Sequence, residues 1–116
     1  MIDLVEKLSY IAGIFDIRGF VRYDYGKNYQ YAVSFNFTES EKAIWEEIGK
    51  DLKEFCHFKI YKAKRKKGKQ REYQLYISGK KNVYNFLMKI LPYSKRKKEI
   101  HLYLWLLRTK GRKLNQ

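Results

Sequence analysis

Side chains that can recognise nucleic acid recur at alternate positions in four short segments of this sequence. Arg suits the edge of guanine, and Gln and Asn suit the edge of adenine, when a two-stranded ribbon lies in the major groove. Alternation places such residues on one face of each strand and apolar residues on the other. A sheet with one face in water shows the same pattern without any ligand. The predicted reading face consists of Arg22, Asp24, Gln30, Ser34, Asn36, Lys59, Tyr61, Gln74 and Tyr76.

The charge of the chain favours the first of these interpretations. It contains 26 Lys and Arg against 12 Asp and Glu, a net charge of +14, and such an excess attracts polyanions. The basic residues do not form one amphipathic helix, so nucleic acid is favoured over a membrane surface. Many of them lie in two runs, residues 62–71 and 95–98. Runs of charge can simply be solvated, but we expect phosphate contacts from Lys64, Arg65, Lys66, Lys67, Lys95, Arg96 and Lys97.

The predicted helices and strands would hold this face in place. A first helix gives way at Phe20 to a period of two, which indicates a β-hairpin whose open face includes Ala32. Thr38 begins a capping box, and the second helix has Ile44 on its apolar side. Two more strands flank the basic loop, and two helices follow. The order α-β-β-α-β-β-α-α predicts an α+β fold with a four-stranded antiparallel sheet, in one domain of residues 1–116 with a basic tail from about residue 110.

Other compositional features exclude several classes of protein. No apolar run approaches the roughly 20 residues needed to span a bilayer, and the first residues lack the pattern of a secretory signal. We therefore expect an intracellular protein, in the cytoplasm or nucleoid, without a membrane partner. Cys56 has no second cysteine to pair with and is expected to be a core residue. His57 and His101 lack Asp or Cys partners at ligand spacing, so no metal site is predicted.

The segment Ser9 to Phe20 contains small residues in the middle of a predicted helix. Ala12 and Gly13 stand next to each other, and glycine there lowers helix stability. A close approach of another helix would explain them. A single buried helix that accommodates one neighbouring side chain would explain them as well.

Nine residues of this segment, Ile11 to Gly19, resemble the motif of the LAGLIDADG homing endonuclease family. Ala12, Gly13, Asp16 and Gly19 match the motif outright, and the predicted order of helices and strands is also that of the family. The resemblance implies that the sheet forms a saddle on double-stranded DNA. Because the chain has one copy of the motif, it also implies a homodimer and a near-palindromic target. The implied dimer interface consists of Ile11, Ala12, Gly13 and Phe15.

The resemblance fails at the position that matters most for catalysis. Arg18 stands where the family has the acid that binds a divalent metal, and a guanidinium cannot ligate Mg²⁺. The remaining residues that match the family's active site are Asp16, Glu39 and Lys97, a degenerate catalytic set, while Arg18 could contact a DNA phosphate. The resemblance therefore implies a DNA-binding protein without a cofactor and with weak or no nuclease activity.

Two alternatives remain open. The first is an active Mg²⁺-dependent homing endonuclease with a rearranged metal site, in which Glu39 would be the acid to test. The second is an intron-splicing maturase, because some family members bind RNA and a basic, aromatic surface suits RNA as well.

Overall fold

The computed structural model describes residues 4–23, 31–62 and 72–113. These residues form the predicted order of four helices and four strands. The elements are α1 (Leu4–Arg18), β1 (Phe20–Tyr23), β2 (Tyr31–Thr38), α2 (Lys42–Leu52), β3 (Lys59–Lys62), β4 (Glu72–Ser78), α3 (Lys80–Ile90) and α4 (Lys97–Lys113). Short 3₁₀ turns, Glu39–Glu41 and Leu91–Tyr93, precede α2 and follow α3. The predicted α+β fold is confirmed.

The four strands form one antiparallel sheet in the order β1-β2-β4-β3. The two longer strands, β2 and β4, therefore lie in the centre, and the two four-residue strands lie at the edges. β2 and β4 therefore have hydrogen-bonded neighbours on both sides.

Helices cover one face of the sheet, and the core lies between the two layers. Phe35 of β2 lies 6.5 Å from Phe15 of α1 and 5.5 Å from Trp45 of α2 between ring centroids. Phe86 of α3 contacts both Phe15 and Phe35 at edge-to-face angles. Such aromatic contacts add to the free energy gained from burial. The predicted apolar face of β2 and β4 is thus the face that packs against α1, α2 and α3.

Cys56 lies in this core, as predicted. Burial raises the pKa of its thiol to about 12, so the thiol stays protonated at neutral pH and is a poor nucleophile. None of the helices in the described ranges is long and apolar enough to cross a membrane.

The prediction for the apolar side of α2 is wrong at one residue. Trp45, Ile48 and Leu52 are buried, whereas Ile44 is 58% exposed. Trp45, Ile48 and Leu52 recur at intervals of three and four residues and form one stripe along α2. Ile44 is about 100° of helical rotation from Trp45 and about 40° from Ile48, so it lies at the edge of that stripe. Ile44 instead lines a groove between α2 and α1 that is open to solvent.

Candidate nucleic-acid interface

The face of the sheet that no helix covers is lined by rows of side chains running across the strands. The register places Arg22 of β1 opposite Ala32 of β2, and Asn36 of β2 opposite Gln74 of β4. Gln74 in turn pairs with Tyr61 of β3. The row Asn36, Gln74, Tyr61 therefore spans three strands with groups that can donate and accept hydrogen bonds. Gln74 Nε2 donates to Asn36 Oδ1 at 3.0 Å, which orients the two amides relative to each other.

Ser34, predicted to contact DNA from this face, is instead only 3% exposed. It lies on the central strand β2 between Phe20 of β1 and Tyr76 of β4. These aromatic side chains are larger than that of Ser34 and shield it from solvent, and Ala32 is buried on the same face. The predicted direct contact from Ser34 is therefore wrong, because alternation along a strand does not account for the size of the neighbours across it.

The β3 edge of the open face carries several of the predicted residues in one shallow groove. Lys59, Tyr61 and Tyr76 line it together with Ser78, His57 and Asn82, and the rings of Tyr61 and Tyr76 lie 6.0 Å apart, edge to face. Asn82 of α3 positions the start of β3, because its side chain accepts from His57 N at 3.0 Å and donates to His57 O at 2.6 Å. Sequence patterns gave no signal for Asn82, since its partners lie 25 residues away.

The C-terminal end of α1 is held by the segment before α4. The carboxylate of Asp16 accepts hydrogen bonds from Ser94 Oγ and, at 2.7 Å, from Lys95 N. Both of its oxygens are used in this way, so Asp16 fixes the chain that enters α4. Asp16 therefore has a structural role here, and its predicted catalytic role has no support from these contacts.

Arg96 is predicted from sequence to contact phosphate, but the structure uses it inside the protomer. Its Nη1 donates to Phe15 O at 2.9 Å and to Gly19 O at 2.7 Å, and its Nη2 donates to Glu99 at 2.7 Å. The guanidinium also lies over the ring of Phe15, 4.5 Å from its centroid. The cation supplies a donor to Gly19 O and a second donor to Phe15 O near the C-terminal end of α1. Arg96 therefore has a structural role, and its phosphate contact stays a prediction.

Gly19 ends α1 at a point where no side chain fits. Its N–H donates to Phe15 O at 2.8 Å, and a Cβ built on it would lie 2.3 Å from Cδ1 of Phe15 and 2.7 Å from Phe15 O. Real Cβ atoms do not approach that closely, so the chain can turn from α1 into β1 at this spacing only with glycine. The last glycine of the motif thus has a steric cause within the protomer.

Arg18, which the sequence resemblance matches to the family's metal-binding acid, forms an ion pair with Glu41. Arg18 Nη1 lies 2.7 Å from Glu41 Oε2, and the Arg18 side chain is about half exposed. Glu41 also accepts from Thr38 N at 3.1 Å, which is half of the predicted capping box. The hydrogen bond from Thr38 N–H, followed by that from Arg18, holds the pKa of Glu41 below its usual value of 4.5. Sequence reasoning identified the cap but missed the ion pair.

The acids around the end of α1 do not fit a Mg²⁺ site. Each carboxylate oxygen of Asp16 accepts a hydrogen bond, from Ser94 or from Lys95 N–H, and Glu39 accepts a 2.5 Å hydrogen bond from the Tyr73 hydroxyl. Arg18 would repel a cation. Residues 4–23, 31–62 and 72–113 contain no group of three or more His, Cys, Asp or Glu that could hold a metal ion. Lys97, the predicted basic residue of the site, is exposed in the first turn of α4.

Three of the four residues predicted at the dimer interface belong to the core of the protomer. Ile11, Ala12 and Phe15 are buried against its own sheet and α3, because they form the stripe of α1 that faces inward. The prediction that they contact a partner is therefore wrong. Gly13 differs: it is exposed, and a Cβ added to it would meet nothing within 4 Å.

A second apolar stripe on α1 faces outward. Tyr10 and Ile17 lie on the same side as Gly13 and are exposed, Ile17 by 85%. Ile14 and Ile44 line the adjoining groove between α1 and α2. We call Tyr10, Gly13, Ile17 and Ile44 the outer seam. The spacing of Tyr10, Gly13 and Ile17 on α1, three and four residues apart, was a signal available in the sequence.

Several predicted contacts fall outside the described residues. These are Asp24, Gln30, Lys64, Arg65, Lys66 and Lys67. The contacts predicted for Arg22, Asn36, Lys59, Tyr61, Gln74, Tyr76, Lys95 and Lys97 remain predictions, and the structure brings all but the last two together on the open face.

The same fold occurs in solved structures of homing endonucleases. I-CvuI in complex with its target in the presence of 2 mM Ca has a TM-score of 0.68 at 19% identity. I-CvuI with the I-CreI target in the presence of 2 mM Mg, where the DNA is not cleaved, has a TM-score of 0.65 at 19% identity. In both cases 88% of this chain and 66% of I-CvuI are covered.

A third similar structure is the LAGLIDADG homing endonuclease I-GzeII in complex with a DNA target. It has a TM-score of 0.63 at 11% identity, over 91% of this chain and 36% of I-GzeII. No model of a known protein family and no curated protein matches the sequence. At these identities the structural likeness establishes the fold.

Proposed function

We propose that this chain is a double-stranded DNA-binding protein of the LAGLIDADG homing endonuclease family, which binds a near-palindromic site as a homodimer and does not cut it. The observation that carries the proposal is the uncovered sheet face, with Arg22, Asn36, Gln74, Tyr61 and Lys59 on strands in a defined register. Side chains of this kind, on a ribbon, can reach base edges in the major groove. Structures of the same fold contain DNA targets.

The outer seam supports the homodimer. An exposed glycine in the middle of a helix costs about 1 kcal/mol relative to alanine, and nothing inside the protomer explains Gly13, since its Cβ position is open. A second α1 that approaches closely would explain it. Tyr10, Ile17 and Ile44 would then gain the apolar partner that they lack in one protomer. Such an interface is isologous, so the target is a near-palindrome.

The contacts at the end of α1 support the absence of cleavage. Arg18 and Glu41 neutralise each other, Asp16 is bound to the start of α4, and Glu39 accepts from Tyr73. Hydrolysis assisted by Mg²⁺ needs carboxylates with free oxygens beside the scissile phosphate. In this chain Arg18 would supply positive charge to a phosphate without activating water.

One experiment tests the proposal. The purified chain is incubated with a randomised duplex library with and without Mg²⁺, and the bound and the cleaved fractions are sequenced. We expect enrichment of a near-palindromic site and no cleavage. Enrichment of one asymmetric half-site would contradict the homodimer. Loss of all duplex preference in favour of structured RNA would replace the proposal with the maturase alternative.

The active endonuclease is the second candidate, and one observation favours it. The carboxylate of Glu41 lies 2.7 Å from the guanidinium at the motif's acid position, so an acid from another element reaches that place. Cleavage by the native chain that requires Mg²⁺ and is lost in Glu39→Gln or Glu41→Gln would establish this candidate. Cleavage gained only in Arg18→Asp would show instead that the native chain lacks nothing but the acid.

A further inference from the structure

A second cationic surface lies on the helical layer, away from the open face of the sheet. Lys80, Lys81 and Tyr84 of α3 line a groove together with Leu107 and Arg108 of α4. α3 packs on the helix-covered side of the sheet, and α4 packs on α3. A duplex seated on the open face therefore does not occupy this groove.

The residues that line the groove carry an excess of positive charge. Three of its five lining residues are cations, and none is an acid. From Lys80 to Lys113 the sequence contains eleven Lys and Arg but one acid, Glu99. That acid is paired with Arg96. An anionic partner is thus favoured electrostatically.

The groove also has apolar walls, which restrict further the class of anion that it can bind. Tyr84 is partly buried and presents its ring between the cations, and Leu107 is buried at the base. Aromatic rings next to basic residues bind unpaired bases by stacking while the cations bind the adjacent phosphates. In a duplex the faces of the bases are stacked on one another, so a duplex would use the cations but leave the apolar wall without a partner.

We propose that the groove between α3 and α4 binds a single-stranded nucleic-acid segment. An unpaired base stacks on the partly exposed ring of Tyr84, and the flanking phosphates contact Lys80, Lys81 and Arg108. The protomer then has two nucleic-acid surfaces, one for a duplex and one for a single strand. The second surface does not depend on the first, and the proposal stands even if the open face binds no DNA.

The test measures binding of the full chain to fluorescent twelve-nucleotide single strands, one of DNA and one of RNA of the same sequence, in the presence and absence of unlabelled duplex. The groove variant is Lys80→Ala/Lys81→Ala/Arg108→Ala. The matched control, Lys50→Ala/Lys53→Ala/Lys89→Ala, removes the same charge from exposed lysines outside both surfaces. Tyr84→Leu keeps an apolar side chain but removes the ring. Circular dichroism verifies that each variant is folded.

We expect the groove variant to lose at least tenfold in affinity for the single strand. Its slope of log affinity against log salt should become shallower by about 2, because three phosphate contacts contribute about 0.7 each. Tyr84→Leu should lose about tenfold without a change in salt dependence, because stacking is not electrostatic. Duplex affinity should remain within about twofold of the control's. Preference for RNA or for DNA identifies the natural source, and either result supports the proposal.

Two outcomes would overturn it. In the first, the control loses as much single-strand affinity as the groove variant, which means that only net charge matters. In the second, unlabelled duplex displaces the single strand completely, which means that both bind to the same surface.

Discussion

The two sides of α1 are both apolar, but only one of them has a partner inside the protomer. On the inner side Phe15 is fully buried and contacts two other aromatic rings. On the outer side Ile17 is 85% exposed, and Gly13 faces open space. A helix that is apolar all round is normally buried all round. The difference indicates that α1 has two interfaces, and that only the inner one is formed within the protomer.

The largest expected effect is on the inner side. Phe15→Ala should lower the free energy of unfolding by about 3–5 kcal/mol, because it opens a cavity among Phe35, Phe86 and the ring-stacked Arg96. Urea denaturation at low protein concentration measures it. Ile17→Ala is the control and should change the stability of the isolated protomer by less than about 0.5 kcal/mol. Equal losses in the two variants would mean that the two sides do not differ.

On the outer side, Gly13→Leu should abolish the dimer and leave the protomer folded. Overpacking costs about 1–3 kcal/mol for each inserted side chain, and two copies meet at a two-fold axis, so the dimer should weaken roughly 100-fold or more. Sedimentation at micromolar concentration measures this. The protomer itself should not be destabilised, since the Cβ position is free. If the native chain is already monomeric at that concentration, the outer side of α1 is not a dimer interface.

Arg96 and Lys97 are neighbours in sequence, but we expect Arg96 to stabilise the fold and Lys97 to contact DNA. Arg96→Ala should destabilise the fold by about 1–3 kcal/mol, because it removes the donor to Gly19 O and one of the two donors to Phe15 O. Lys97→Ala should leave stability unchanged and lower duplex affinity. The dependence of that affinity on salt concentration should become shallower by the equivalent of about one phosphate contact. Thermal unfolding and salt-dependent binding are measured on both variants. If Arg96→Ala lowered duplex affinity and Lys97→Ala lowered stability, then Arg96 and not Lys97 would face the ligand.

The smallest expected effect concerns the ion pair at the outer end of α1. The pKa of Glu41 is held below 4.5 by the Thr38 N–H and by Arg18. A carboxylate with a lowered pKa contributes stability above its usual pKa, and that contribution is lost as the pH falls through the lowered value. Arg18→Gln should raise the pKa of Glu41 towards 4.5, as measured by NMR titration. An unchanged titration would show that the Thr38 cap alone sets the pKa.

The sequence alone was sufficient for the order of the elements and for most residues of their apolar faces. Period-two and helical spacing depend on local geometry, so the strands and the capping box at Thr38 follow from neighbours along the chain. The excess of basic residues indicated a polyanionic partner for the same reason, because net charge does not depend on how the chain folds. The motif residues from Ile11 to Gly19 led to the correct fold.

Tertiary packing decided what local periodicity does not contain. Ser34 is buried because of the size of Phe20 and Tyr76 on the strands beside it. Arg96 turns inward because α1 ends beside it, although Phe15 lies 81 residues earlier in the chain. Periodicity assigns a residue to a face, but the partner that covers that face comes from a distant part of the chain. For this reason only the structure distinguished the two sides of α1 and paired Arg18 with Glu41.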